Sequence, residues 1–219
     1  MRSTFTGLAG LAAVGLMTTA CLVKDTTQTI YLEADGTVIW TILQKDVRSN
    51  DKTAEGRARE ETEFVEAVSA GRDPVALGFG RLDPISMRTD ILRAERPYTV
   101  LTRARFARLD WLMARWVGTQ GTSALERQDG TTRWTLTVNP ESHSSASKDK
   151  EDASDDALSD SFEHCRFVLA AGHFTSAVGF ELSSDGRVAT IQFPDHHESD
   201  DAGSAKPLYF SLTWTEAEK

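Results

Sequence analysis

Along this chain the strongest signal is alternation around Asp-Gly pairs. In TIYLEADGTVIWTIL (29–43), Ile30 and Leu32 precede such a pair, and Val38, Trp40 and Ile42 follow it at every second position. Alternation of this kind buries one face of a strand pair. Asp-Gly supplies the positive φ that a tight hairpin turn requires. The same arrangement recurs in SALERQDGTTRWTLTV (123–138) and GFELSSDGRVATIQF (179–193). The three share a turn but no fixed period, so they are hairpins and not copies of a repeat.

Helical spacing predicts two further elements. DKTAEGRAREETEFVEAVSAG (51–71) is rich in helix formers, with Asn50 or Asp51 to cap its start and Gly71 to stop it. Its apolar stripe of Ala54, Ala58, Val65 and Val68 is thin, which suits a surface helix. RFARLDWLMARWVG (105–118) places Phe106, Leu109, Met113, Trp116 and Val117 on one face and ends at Gly118. That face is expected to pack on a sheet.

Between the helices, residues 85–106 read as two strands turned at Arg96-Pro97, and EHCRFVLAAG and PLYFSLTW supply more strands. The polar stretch at about 140–161 is too poor in apolar residues to order itself, and reads as an acidic insertion within one domain. The expected architecture is α+β: an antiparallel sheet of about eight strands built from Asp-Gly hairpins, with two helices on one face.

Composition narrows the function. The 219 residues carry a formal charge of −9, which excludes a nucleic-acid binder working by phosphate neutralisation. Charge is unevenly placed. Residues 81–116 hold eight arginines against four acids, whereas 141–219 hold sixteen acids against six basic residues. On the second helix Arg108, Trp111 and Arg115 lie opposite the apolar stripe. With Arg105 they form a basic surface fit for a partner or a headgroup layer. The alternative is that the 72–84 loop covers Trp111 and the arginines pair with acids of their own domain.

The amino terminus has its own logic. Arg2 is followed by an uncharged run rich in Ala, Gly and Leu, with small residues at its end, the layout of a secretory signal. The apolar part is shorter than the roughly 20 residues a spanning helix needs. The order Thr18-Thr19-Ala20-Cys21 resembles the lipobox of bacterial lipoproteins, with Thr18 where leucine is usual and Leu16 and Met17 just upstream. The resemblance implies a signal peptide at 1–20 cut after Ala20, and acyl chains on Cys21. Residues 21–28 would be a lipidated cysteine and tether, and 29–219 a single domain. Two or more acyl chains make a stable membrane anchor. Leu22 is not the aspartate that commonly marks inner-membrane retention, so the outer membrane is favoured where two exist.

Catalytic signals are weak. The sequence has no Gly-x-Ser-x-Gly and no His-Glu-x-x-His. His164 and Cys165 are neighbours, which on a strand point to opposite faces, so Cys165 reads as a buried structural thiol. PDHHESDD (194–201) offers His196 and His197 as weak metal candidates in a loop. No catalytic residue and no cofactor is assigned. The expectation is a non-catalytic, membrane-anchored envelope lipoprotein that binds a protein or lipid component of the envelope. Its alternatives are a carrier of an apolar ligand in a sheet–helix cavity and, third, a hydrolase.

Overall fold

The computed structural model describes residues 22–139, 165–192 and 207–215. Cys21, His164, His196, His197 and the acidic stretch at 140–161 therefore lie outside the described residues. Strand β1 (Leu22–Leu32) and strand β2 (Val38–Ser49) pair antiparallel from Leu22 opposite Ser49 to Leu32 opposite Val38. Residues 22–28, expected as a tether, are thus the first half of a strand. Lys24 and Asp25 look like linker composition, but they stand near the strand's end, where both remain exposed.

Helices α1 (Ala54–Ser69) and α2 (Pro74–Arg81) follow. Thr53, not Asn50 or Asp51, caps α1, its hydroxyl accepting from the Gly56 amide at 3.0 Å. The buried side of α1 runs through Glu61, Phe64 and Val68, while Ala54 and Ala58 are exposed. Glu61 is held inside because its Oε1 accepts from the Ser49 amide (3.0 Å) and meets Arg96 Nε (3.1 Å). The expected loop at 72–84 instead contains α2. Asp73 caps it by accepting from the Val75 and Ala76 amides, and Pro74 takes the first turn, where its missing N–H costs nothing.

Next come β3 (Ser86–Arg93), β4 (Tyr98–Phe106) and α3 (Leu109–Val117). The helix expected at 105–118 is therefore shorter. Arg105 and Phe106 belong to β4, and Arg108 is the extended residue that precedes the helix. Leu109, Leu112, Met113 and Val117 of α3 are buried in the main core. The remaining strands are β5 (Gly121–Gln128), β6 (Thr131–Val138), β7 (Cys165–Leu169), β8 (His173–Val178), β9 (Phe180–Leu182), β10 (Val188–Ile191) and β11 (Leu208–Thr215).

Among the described residues these strands form two sheets, not one of about eight, and three α-helices accompany them, not two. The larger has the order β3-β4-β2-β1-β7-β10-β9 and the smaller β5-β6-β11-β8. The larger is mixed, because β1 and β7 run parallel. All three Asp-Gly pairs lie between antiparallel neighbours, Asp35-Gly36 joining β1 to β2, Asp129-Gly130 joining β5 to β6, and Asp185-Gly186 joining β9 to β10. The α+β class stands. Two sheets arise because each has one apolar face, and facing those together buries both. Trp134 of β6 stacks on Phe167 of β7 with ring centroids 5.3 Å apart, and Phe180 of β9 meets Phe210 of β11 at 5.9 Å. Phe64, Val68, Val47 and Val100 make a smaller cluster under α1.

Cys165 is fully buried on the core side of β7, and burial pushes its thiol from an ordinary 9.0 up to about 12. The unfolded chain releases this proton first, so stability is expected to fall as pH rises from about 9 toward 12. Alkylation at pH 8 should leave Cys165 unlabelled in the native protein and label it fully in denaturant. Rapid native labelling read by mass spectrometry would show that β7 opens.

Candidate docking surface

The site lies where β4 runs into α3, beside the β1–β2 turn. Gly36 of that turn has φ +83, a conformation that favours glycine, and a Cβ there would lie 2.6 Å from Arg127 Nη2, so the tip of that side chain would have to shift. Asp35, held by Thr37, accepts from both its backbone amide (2.9 Å) and its hydroxyl (2.6 Å). Those bonds, the hydroxyl first, and then Arg105 keep its carboxyl below the usual carboxylate range. Arg105 Nη2 reaches Asp35 Oδ2 at 3.1 Å and Thr37 Oγ1 at 3.2 Å. An open cleft of about 430 Å³ follows, lined by Asp35, Gly36, Ala107, Arg108, Leu125 and Arg127.

Arg108 grips Asp110 with two bonds, Nε to Oδ1 at 3.0 Å and Nη2 to Oδ2 at 2.6 Å. The fixed guanidinium lies 5.8 Å from the centroid of the Trp111 ring, within cation–π range. Trp111 is 60% exposed. One turn on, Arg115 Nη1 meets Asp83 Oδ2 at 3.2 Å, linking α3 to the segment after α2. Ile85 (63%) and Leu77 (53%) on that segment and on α2 are also exposed.

Of the four residues expected at the surface, Arg108 and Trp111 come together, and Arg105 joins Arg108 around Asp35. Arg115 is turned toward Asp83. Helix α2 leaves Trp111 open, whereas Arg105, Arg108 and Arg115 each pair with an acid of the same domain. The exposed Arg105–Asp35 and Arg115–Asp83 pairs are worth about 0–1 kcal/mol, so those arginines are cheaply released to a partner, whereas Arg108 is held by the nearly buried Asp110. Arg127 was not singled out from the sequence; an arginine beside an Asp-Gly turn gives no sign that a distant hairpin will meet it. Among the described residues no helix is long and apolar enough to cross a membrane, and no three His, Cys, Asp or Glu side chains gather to hold a metal.

No protein-family model matches the sequence, and no curated protein matches it. Among solved structures, the chain resembles the folded domain of the Mycobacterium tuberculosis LppM protein, with 11% identity and a TM-score of 0.36 over 89% of this chain and 91% of that one. A second likeness is to the Fcho1 Mu homology domain of Danio rerio with bound Eps15 peptide, at 9% identity and a TM-score of 0.23, over 91% and 82%. At scores this low the two likenesses define no family for the chain.

Proposed function

We propose that this chain is a bacterial envelope lipoprotein, held to its membrane by an acylated Cys21, whose α+β domain docks another envelope component through the face around Trp111. The observation that supports the docking role is a large aromatic ring left 60% exposed beneath a fixed guanidinium. Tryptophan and arginine are the residues that most often carry binding energy at interfaces. Position favours a protein over the lipids of the anchoring bilayer. Strand β1 has 11 residues, about 35 Å of extended chain, and the Asp35 turn beside Arg108 stands at the end opposite residue 22. Leu22 after the cysteine favours an outer-membrane address.

Two measurements test this reading. Metabolic labelling with a fatty-acid probe is expected to mark the wild-type chain and not Cys21→Ser, which should also leave the membrane fraction. A photocrosslinker placed at position 111 in intact cells is expected to give a discrete protein adduct. Label retained on Cys21→Ser would overturn the anchor, and adducts at 111 no different from those at an arbitrary exposed position would overturn the docking face.

A further inference from the structure

The larger sheet has a second face, turned away from the core. The helices and the smaller sheet bury Ile30, Trp40, Ala104 and Phe167 on one side. Strand alternation sends the residues between them to the other side. The register aligns these across four strands: Arg103 of β4 opposite Thr41 of β2, Thr41 opposite Thr29 of β1, and Thr29 opposite Arg166 of β7. These four line an open groove of about 420 Å³, within the size range of small-molecule sites.

The groove is banded. Arg103, Thr41, Thr29 and Arg166 make a polar row with a guanidinium at each end of the groove, and Arg88 of β3 continues it beyond Arg103. On one side Leu43 lies opposite Leu101, and on the other Ile39 lies opposite Tyr31, all lining the same groove. Thr29 is only 6% exposed although it faces this side, so the neighbouring side chains rise around it. Three strand spacings separate the arginine backbones by roughly 14 Å. No carboxylate lies within ion-pair distance of Arg103 or Arg166 among the described residues, although the chain as a whole is acidic. Nearby acids are otherwise placed: Arg88 holds Asp90, and Glu33 lies at the turn end of the groove.

From this juxtaposition we infer that the outward face of the seven-stranded sheet binds one anionic phospholipid, its phosphate between Arg103 and Arg166 and an acyl chain along Leu43 and Leu101. Guanidinium groups suit phosphate because they donate paired, charge-assisted hydrogen bonds. A soluble anion would use the polar row alone; the flanking apolar residues fit a ligand with a hydrocarbon part. The site adjoins the docking face, since Arg105 lies in register opposite Ile39, but it uses other arginines and does not depend on the anchor at Cys21.

The test is titration of the full chain, in mild detergent, with dioctanoyl phosphatidylglycerol, followed by calorimetry. Saturable binding is expected, with affinity lowered about tenfold or more in R103A/R166A and left unchanged in R59A, whose arginine pairs with Glu63 on α1 away from the groove. Leu43→Asn should also weaken it, and thermal midpoints of all variants should stay close to wild type. Equal affinity for dioctanoyl phosphatidylcholine would overturn the anionic preference. Equal affinity for glycerol 3-phosphate would make this a site for a soluble anion, and absence of saturable binding would remove the site altogether.

Discussion

Phe167→Ala is expected to remove about 3–5 kcal/mol of unfolding free energy, measured by urea denaturation. Phe167 is fully buried in β7 and touches rings from two other strands, stacking on Trp134 at 5.3 Å and meeting Phe180 edge-on at 5.4 Å. Trp134 belongs to the other sheet and is itself fixed, its Nε1 donating to Ser123 Oγ at 2.9 Å. Deleting the Phe167 ring therefore opens a void between the sheets that neither can fill without moving a backbone. Domains of this size are commonly stable by only about 5–15 kcal/mol, so this single change takes a large share. A loss under about 1 kcal/mol would mean that the two sheets do not share one core.

Trp111→Ala should do the reverse, weakening partner capture by about 2 kcal/mol or more, some thirtyfold, while stability stays within about 1 kcal/mol. The asymmetry follows from placement. Trp111 stands on the outer side of α3, opposite Leu109, Leu112 and Met113, and its ring contact is the cation–π approach of Arg108. Such a contact is worth roughly 0.5–1 kcal/mol at an exposed site. A Trp111→Phe variant keeps an apolar ring and should retain part of the capture. A stability loss above about 2 kcal/mol in Trp111→Ala would show that the residue serves the fold and not a partner.

What could be read from the sequence depended on how local the cause was. The Asp-Gly turns were legible because positive φ is a property of the turn residues themselves, and Asp129 and Gly130 indeed adopt φ 50 and 72. Helix α3 was legible in its apolar face but not in its start, since Phe106 fits a helical stripe and a strand's inward row equally well. The division into two sheets was not legible. It depends on β1 pairing with β7 and on β11 lying between β6 and β8, contacts across long stretches of chain. The groove was hidden for the same reason. Arg103 and Arg166 share a row only through β2 and β1, and no short motif records that. Helix α2 did carry a signal, Asp73 as cap with Pro74 behind it, masked by the two glycines of PVALGFGR.

Strand β1 takes the middle place of the seven-stranded sheet, and its first residue follows directly on Cys21. A pull on that cysteine runs along the strand's axis, at right angles to the hydrogen bonds that join β1 to β2. Those bonds must give way together in shear, and cannot unzip singly. Under the anchor proposed at Cys21, a fold threaded in this way would take tension from that residue into the sheet as shear.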